Sequence, residues 1–228
     1  MILDWDPPIR ALQYLLLASR FFFLNDTLTA VRPTRATSNL IPAPILLEAY
    51  RTGIFPMAME NSEIAWFSPD PRGIIPLDCF HVPHGLQRTL KKGLFEVRVN
   101  NAFERVVVAC SQRTETWISQ VIIRSYVNLH RLGFAHSVES WQSGELVGGL
   151  YGVSLSGAFF GESMFHRVTD ASKVALVALV ERLRERGFRL LDTQYITPHL
   201  QSFGAVEIAR PKYLRLLQQA LALKCHFV

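Results

Sequence analysis

Apolar residues recur at helical spacing from Ser172 to Arg186, with Val174, Leu176, Val177, Leu179, Val180 and Leu183 on one face. On either side the period changes. Gly157-Ala-Phe-Phe-Gly-Glu-Ser-Met-Phe165 alternates small and aromatic residues and reads as a strand, as does Arg189-Leu-Leu-Asp-Thr-Gln194. Asp170 or Ser172 can cap the helix, and Gly187 stops it after the charged turn Glu181 to Arg186. Strand, crossover helix and strand make a parallel pair. Both strands then point the same way, so Glu162, Asp192 and Gln194 fall near carboxyl ends, where open sheets carry a ligand crevice. Two acids are expected to face one cleft.

The remaining pattern predicts helices over Ile45–Tyr50, His84–Lys92, Ala102–Cys110 and Ser119–Leu132, the last ended by Gly133, and a strand over Phe95–Asn100. His136–Trp141 and Leu146–Tyr151 flank Gln142-Ser-Gly-Glu145, a hairpin with glycine available for positive φ. Prolines 69, 71 and 76 are expected to keep residues 64 to 76 out of regular structure and to hold Trp66 and Phe67 on a fixed loop. Paired aromatics there form a base-stacking platform or pocket wall, or else plug the join between a small N-terminal domain and the main one. Before residue 40, apolar runs at Tyr14–Ala18 and Phe21–Leu24 are too short and interrupted for a membrane span of ~20 residues. Asp4 and Asp6 precede them, where a secretory signal carries basic residues. The expected organisation is an extension and linker over residues 1–43, a small N-terminal domain over 44–78 and a main domain over 79–228.

An apolar fraction of 49% over 228 residues is enough for a sizeable core. The net charge of +5 and pI near 9.3 are compatible with a polyanionic partner without establishing one. Arg88, Lys91 and Lys92 lie on adjacent turns of one helix and form either a phosphate-binding face or an ordinary solvated one. Cys79, Cys110 and Cys225 are odd in number and widely spaced, which argues for a reducing, cytoplasmic setting. His81-Val-Pro-His84 imitates a metal spacing, but Pro83 breaks the helix that would aim both rings together, so no metal is expected.

Antiparallel strands followed by a strand-helix-strand crossover resemble the α/β (GNAT-like) mixed sheet of N-acetyltransferases, flanked by helices. Those enzymes cradle the coenzyme A pyrophosphate on a glycine-rich loop at a helix N-terminus. The corresponding loop here, His166-Arg-Val-Thr-Asp-Ala171, has no glycine, which disfavours coenzyme A.

A closer resemblance rests on an ordered set of blocks: Gly53-Ile-Phe-Pro56, Trp66-Phe-Ser-Pro-Asp-Pro-Arg72, Thr116-Trp-Ile118, His136-Ser137, Gly161-Glu-Ser-Met-Phe165, Ala171-Ser-Lys173 and Asp192-Thr-Gln194. The set is similar to that of the bacterial leucyl/phenylalanyl-tRNA–protein transferases. The resemblance implies transfer of Leu or Phe from its tRNA to the N-terminal amine of proteins beginning with Arg or Lys, marking them for degradation, with no metal or cofactor. It implies that Asp192 attracts the proton released by the amine, that Gln194 orients amine or ester, and that Glu162 accepts hydrogen bonds from the amine. Trp117, Phe159, Gly161, Met164 and Leu176 would surround the donor side chain. Trp66 and Phe67 would stack the terminal adenine, Phe67 standing where tryptophan is usual, and Arg88, Lys91 and Lys92 would hold tRNA phosphates. On the residues alone, Glu162 and Asp192 could equally form buried salt bridges, with Lys173 or Arg167. A coenzyme A-dependent or peptidoglycan-bridge acyltransferase and a non-catalytic RNA-binding module are the competing classes.

Overall fold

A computed structural model describes residues 39–59, 63–113 and 115–228, so the extension and linker expected over 1–43 lie outside the described residues as far as residue 38. Helix α1 (Ala43–Arg51) leads into an antiparallel ribbon of β1 (Phe55–Ala58) and β2 (Ile64–Phe67). Then come β3 (Arg72–Ile75), a 3-10 turn (Leu77–Cys79), α2 (His84–Lys92), β4 (Glu96–Val99), α3 (Phe103–Ser111) and α4 (Gln120–Arg131). The second half runs β5 (Ala135–Gln142), β6 (Glu145–Leu155), β7 (Ala158–His166), α5 (Ala171–Glu185), β8 (Leu190–Gln194), α6 (Pro198–Gln201), β9 (Val206–Ile208) and α7 (Arg210–Leu221). Seven strands form one mixed sheet in the order β4-β5-β6-β7-β8-β3-β9, and β7 with β8 is its parallel pair.

Local chemistry explains most of these boundaries. Ser119 caps α4 by accepting a hydrogen bond from the Ile122 amide, and Gly133 leaves the helix at φ 82°. Ser143 and Gly144 both take positive φ, the turn that matches the twist of the β5–β6 hairpin. Asp170 sits at the start of α5 but does not cap it. Its backbone is left-handed, and its carboxylate accepts instead from the Thr89 hydroxyl at 2.9 Å and from Lys173 at 2.8 Å.

The expectation of an irregular loop over residues 64–76 is overturned. Ile64–Phe67 is a strand, with Trp66 opposite Pro56, and Arg72–Ile75 lies inside the large sheet between β8 and β9. Pro69, Pro71 and Pro76 stand just outside these short strands, where no ladder hydrogen bond is lost. Residues 72–75, counted on sequence grounds with the small N-terminal domain over 44–78, thus supply an inner strand of the main sheet.

The sheet is buried on both faces. Tyr151, Val153, Phe160 and Leu190 point toward α1, α3, α4 and α7, packing with Leu46, Val106, Ile122 and Leu217. Leu150, Phe159 and Leu191 point the other way, against the apolar side of α5 from Val174 to Leu183. Period-two alternation on central strands is therefore apolar on both phases, as burial on two faces requires.

Candidate functional site

Pairing of β6 with β7 steps from Gly152↔Gly161 to Tyr151↔Ser163, leaving Glu162 as the extra residue of a bulge. The bulge turns its side chain toward α1 and α4. Glu162 Oε1 accepts from Tyr50 of α1 at 2.8 Å, and Oε2 accepts from Tyr126 of α4 at 2.9 Å. The two tyrosine hydroxyls also touch each other.

Asp192, on the neighbouring strand, is held differently. Arg72 donates to it through Nε at 2.9 Å and Nη2 at 2.6 Å, Tyr213 through its hydroxyl at 2.7 Å, and the Gln194 amide at 2.8 Å. Each carboxylate oxygen thus accepts two hydrogen bonds. Arg72 is itself fixed: Nη1 donates to the Gly53 carbonyl at 2.9 Å, and the guanidinium lies 4.4 Å from the Tyr213 ring centroid and 5.0 Å from that of Phe55. Gln194 joins the two acids, because its backbone serves Asp192 while its Nε2 donates to Glu162 at 3.3 Å. Arg72 and Asp192 are fully buried, and Glu162 and Gln194 nearly so.

The surroundings set opposite electrostatics. Burial drives the Glu162 carboxyl up to about 7; hydrogen bonds from Tyr50 and Tyr126 oppose that rise, the Asp192 charge adds to it and the Arg72 charge subtracts. Burial and the Glu162 charge push Tyr50 and Tyr126 well above the ordinary phenol range, so both remain donors at neutral pH. Burial disfavours the Arg72 cation, but the Asp192 anion outweighs it and keeps the guanidinium charged. Tyr213 is raised by burial and by Asp192.

These contacts bring Glu162, Asp192 and Gln194 into one network. They also assign Asp192 a cation partner that sequence reasoning missed: Arg72, rather than Lys173, which pairs with Asp170, or Arg167, which is exposed over the Phe165 ring. Both Asp192 oxygens are taken up by Arg72, Tyr213 and the Gln194 amide, whereas Glu162, held by Tyr50, Tyr126 and the Gln194 side chain, has its carboxyl raised to about 7. Tyr50, Tyr126 and Tyr213 were missed too. Tyr126 sits on the apolar stripe of α4 with Ile122 and Leu129, where nothing in the pattern distinguishes a working hydroxyl from a core ring.

The apolar candidates divide between the two faces. Phe159, Met164 and Leu176 pack in the cluster under α5, whereas Trp117 belongs to the opposite cluster and its carbonyl accepts from the Ala58 amide at 3.1 Å. Gly161 lies beside the first group: a Cβ there would have one heavy atom within 4 Å, the Asp192 carbonyl oxygen at 3.5 Å, so the sheet face is hollow at that point. Trp66 is 37% exposed on the ribbon, and Phe67 lies against Phe55, ring centroids 6.1 Å apart. Arg88, Lys91 and Lys92 are exposed on α2, which the Thr89–Asp170 hydrogen bond moors to the start of α5. Among the described residues, no group of three or more His, Cys, Asp or Glu could hold a metal ion, and no helix is long and apolar enough to cross a membrane.

Comparison with known proteins gives consistent findings. Residues 74–218 match the family described as leucyl/phenylalanyl-tRNA protein transferase, and residues 40–70 match the N-terminal domain of the same family. The chain is 58% identical over 192 residues to a leucyl/phenylalanyl-tRNA–protein transferase of Herpetosiphon aurantiacus, covering 84% of this chain and all of that one. It is 57% identical to the corresponding protein of Paramagnetospirillum magneticum, covering 80% of this chain and 90% of that one. Among solved structures, L-PGS from Bacillus licheniformis is 13% identical with a TM-score of 0.38; the match covers 72% of this chain and a little over half, 56%, of that one.

Proposed function

Because the chain belongs to the leucyl/phenylalanyl-tRNA–protein transferase family and is therefore an aminoacyltransferase, we propose that it moves Leu or Phe from the tRNA 3′ end to the N-terminal amine of proteins beginning with Arg or Lys. The added residue marks those proteins for degradation in the cytoplasm.

The observation that carries this reading is the joined pair of acids, one paired with the Arg72 guanidinium and the other held by two phenols. An α-amine of pKa ~7.7–8.0 is already partly the neutral nucleophile near pH 7 and needs positioning more than deprotonation. As it attacks the ester carbonyl, a C–N bond forms, the ester C–O bond breaks, and the amine sheds a proton. Glu162, ionising near 7, takes that proton and passes it to the departing ribose oxygen, which leaves as the tRNA hydroxyl and restores the carboxylate. Its longest hydrogen bond is the one from Gln194 at 3.3 Å, which makes this the contact an incoming amine most readily replaces, and Gln194 then orients amine or ester. Asp192 holds the Gln194 backbone in place by accepting from its amide. With Glu162 ionised, the two acids against Arg72 leave one net negative charge, which favours a cationic N-terminus.

The donor ester brings its own activation, so no cofactor is required. Phe159, Gly161, Met164 and Leu176 receive the donor side chain in the hollow under α5, and Met164 adapts between Leu and Phe; Trp117, on the opposite face, stays outside that hollow. Exposed Trp66, with Phe67 beside it, stacks the terminal adenine, and Arg88, Lys91 and Lys92 bind backbone phosphates in a salt-sensitive way. Incubation with labelled Leu-tRNA or Phe-tRNA and model proteins starting with Arg, Lys or Ala tests the reading. Label should enter the Arg and Lys proteins; equal labelling of the Ala protein, or none from either donor, refutes it.

A further inference from the structure

Beyond α7 the seven residues Ala222–Val228 form neither helix nor strand, yet the penultimate side chain is deeply buried: Phe227 is 2% exposed and Val228 is 61% exposed. The Phe227 ring stacks on His136 of β5 with centroids 4.5 Å apart and on Phe159 of β7 at 5.1 Å, and meets Phe188 edge-on at 6.4 Å. Arg182 of α5 fastens the tail from above, donating through Nε to the Phe227 carbonyl at 2.7 Å with its guanidinium 5.1 Å from the ring centroid. A tail with no regular structure of its own has been drawn under α5 and locked there.

What it backs is Phe159. That ring lies across Gly152 of β6, where an added Cβ would come within 2.5 Å of Cε1, so Phe159 can lie flat on the sheet only because residue 152 has no side chain. Two positions further along β7, on the same face, Gly161 leaves the sheet hollow. Phe159 therefore stands between the hollow on one side and Phe227 on the other.

We propose that Phe227 is a positioning residue that sets donor specificity: by backing Phe159, the C-terminal tail fixes the depth of the slot that receives the Leu or Phe side chain. This rests on the donor reading given above. Remove the backing and Phe159 can relax into the vacated volume, because cores collapse partly around a deletion. The slot then lengthens, which penalises the smaller donor, left with unfilled space, more than the larger one.

The test compares kcat/KM for Phe-tRNA and Leu-tRNA, with an Arg-initial acceptor, across Phe227→Ala, Phe227→Leu and Phe227→Trp. A hydrophobic pocket discriminates by ~10-fold or more per methylene, so the Phe:Leu ratio should rise about tenfold in Phe227→Ala and about twofold in Phe227→Leu, and should fall in Phe227→Trp. Affinity for uncharged tRNA should be unchanged throughout. A tail that serves only to stabilise the fold would depress both donors equally with no ordering by side-chain size, and that outcome, or an unmoved ratio, overturns the inference. If Phe227→Ala does not fold, the Leu and Trp variants still carry opposite expected signs. Failure of the wild-type protein to use either donor would instead defeat the donor reading itself.

Discussion

Asp192 and Glu162 lie on adjacent strands of one sheet and are joined by Gln194, yet the chain treats them as different chemical objects. Around Asp192 it places a cation, a phenol and a backbone amide; around Glu162 it places two phenols and an amide side chain and, among the described residues, no cation in hydrogen-bond contact. A guanidinium compensates the charge of a buried carboxylate, whereas neutral dipoles do so less fully, and at Glu162 burial raises the carboxyl to about 7. The difference separates a carboxylate tied into holding geometry from one raised into the range where it can exchange a proton.

Arg72→Ala breaks the comparison most severely. It strands Asp192 without its counter-ion, and loss of one partner of a buried pair costs ~3–5 kcal/mol, so chemical denaturation should show a large loss of stability. If Asp192 were instead solvated and replaceable, the loss would be under ~1 kcal/mol.

Glu162→Gln should act on chemistry. Transfer should slow by ~10²-fold with tRNA affinity intact, and the rise in rate through pH 7 should disappear. Stability should move in a defined direction as well. The folded carboxyl titrates near 7 and the unfolded one near 4.5, so between those values the folded state holds the extra proton, and stability present below 4.5 is lost as pH climbs to about 7. The Gln variant should lack that decline, worth at most about 3 kcal/mol. Denaturation curves that fall equally for both proteins would place the titrating group elsewhere.

The smallest and most discriminating changes are paired. Tyr126→Phe and Tyr213→Phe each remove one hydroxyl to a carboxylate, at about 1 kcal/mol apiece. Removing Tyr126 deletes a contact that lowers the Glu162 pKa, so its pH–rate limb should shift alkaline; removing Tyr213 should leave that limb in place. Identical profiles for the two variants would erase the distinction between the acids.

The crossover of β7, α5 and β8 was legible in the sequence because a long helix rich in apolar residues, begun and ended by recognisable signals, sits between two strand-like runs, and such local signals survive without knowledge of partners. Its acids were legible for the same reason, since strand direction alone brings them to one end of the sheet. What answers them was not. Arg72 follows a run of prolines and precedes Asp192 by 120 residues, a pairing that exists only because β3 inserts beside β8. Trp66 and Phe67 were read as a loop because prolines dominate the local pattern, although the strand stops before them. Trp117 could be assigned to an aromatic lining but not to a face of the sheet, because an isolated tryptophan before a helix carries no period.

The insertion of β3 between β8 and β9 also bears on how the molecule is made. During synthesis an early segment must wait for strands that emerge more than a hundred residues later, and such distant pairings are slow to close. Until residue 208 has left the ribosome, Ile208 cannot pair with Arg72, and β3 rather than β9 is the outer strand on that side of the sheet. The Arg72–Asp192 clamp cannot close until β8 has emerged, and a translation product truncated before residue 192 has no means to complete it.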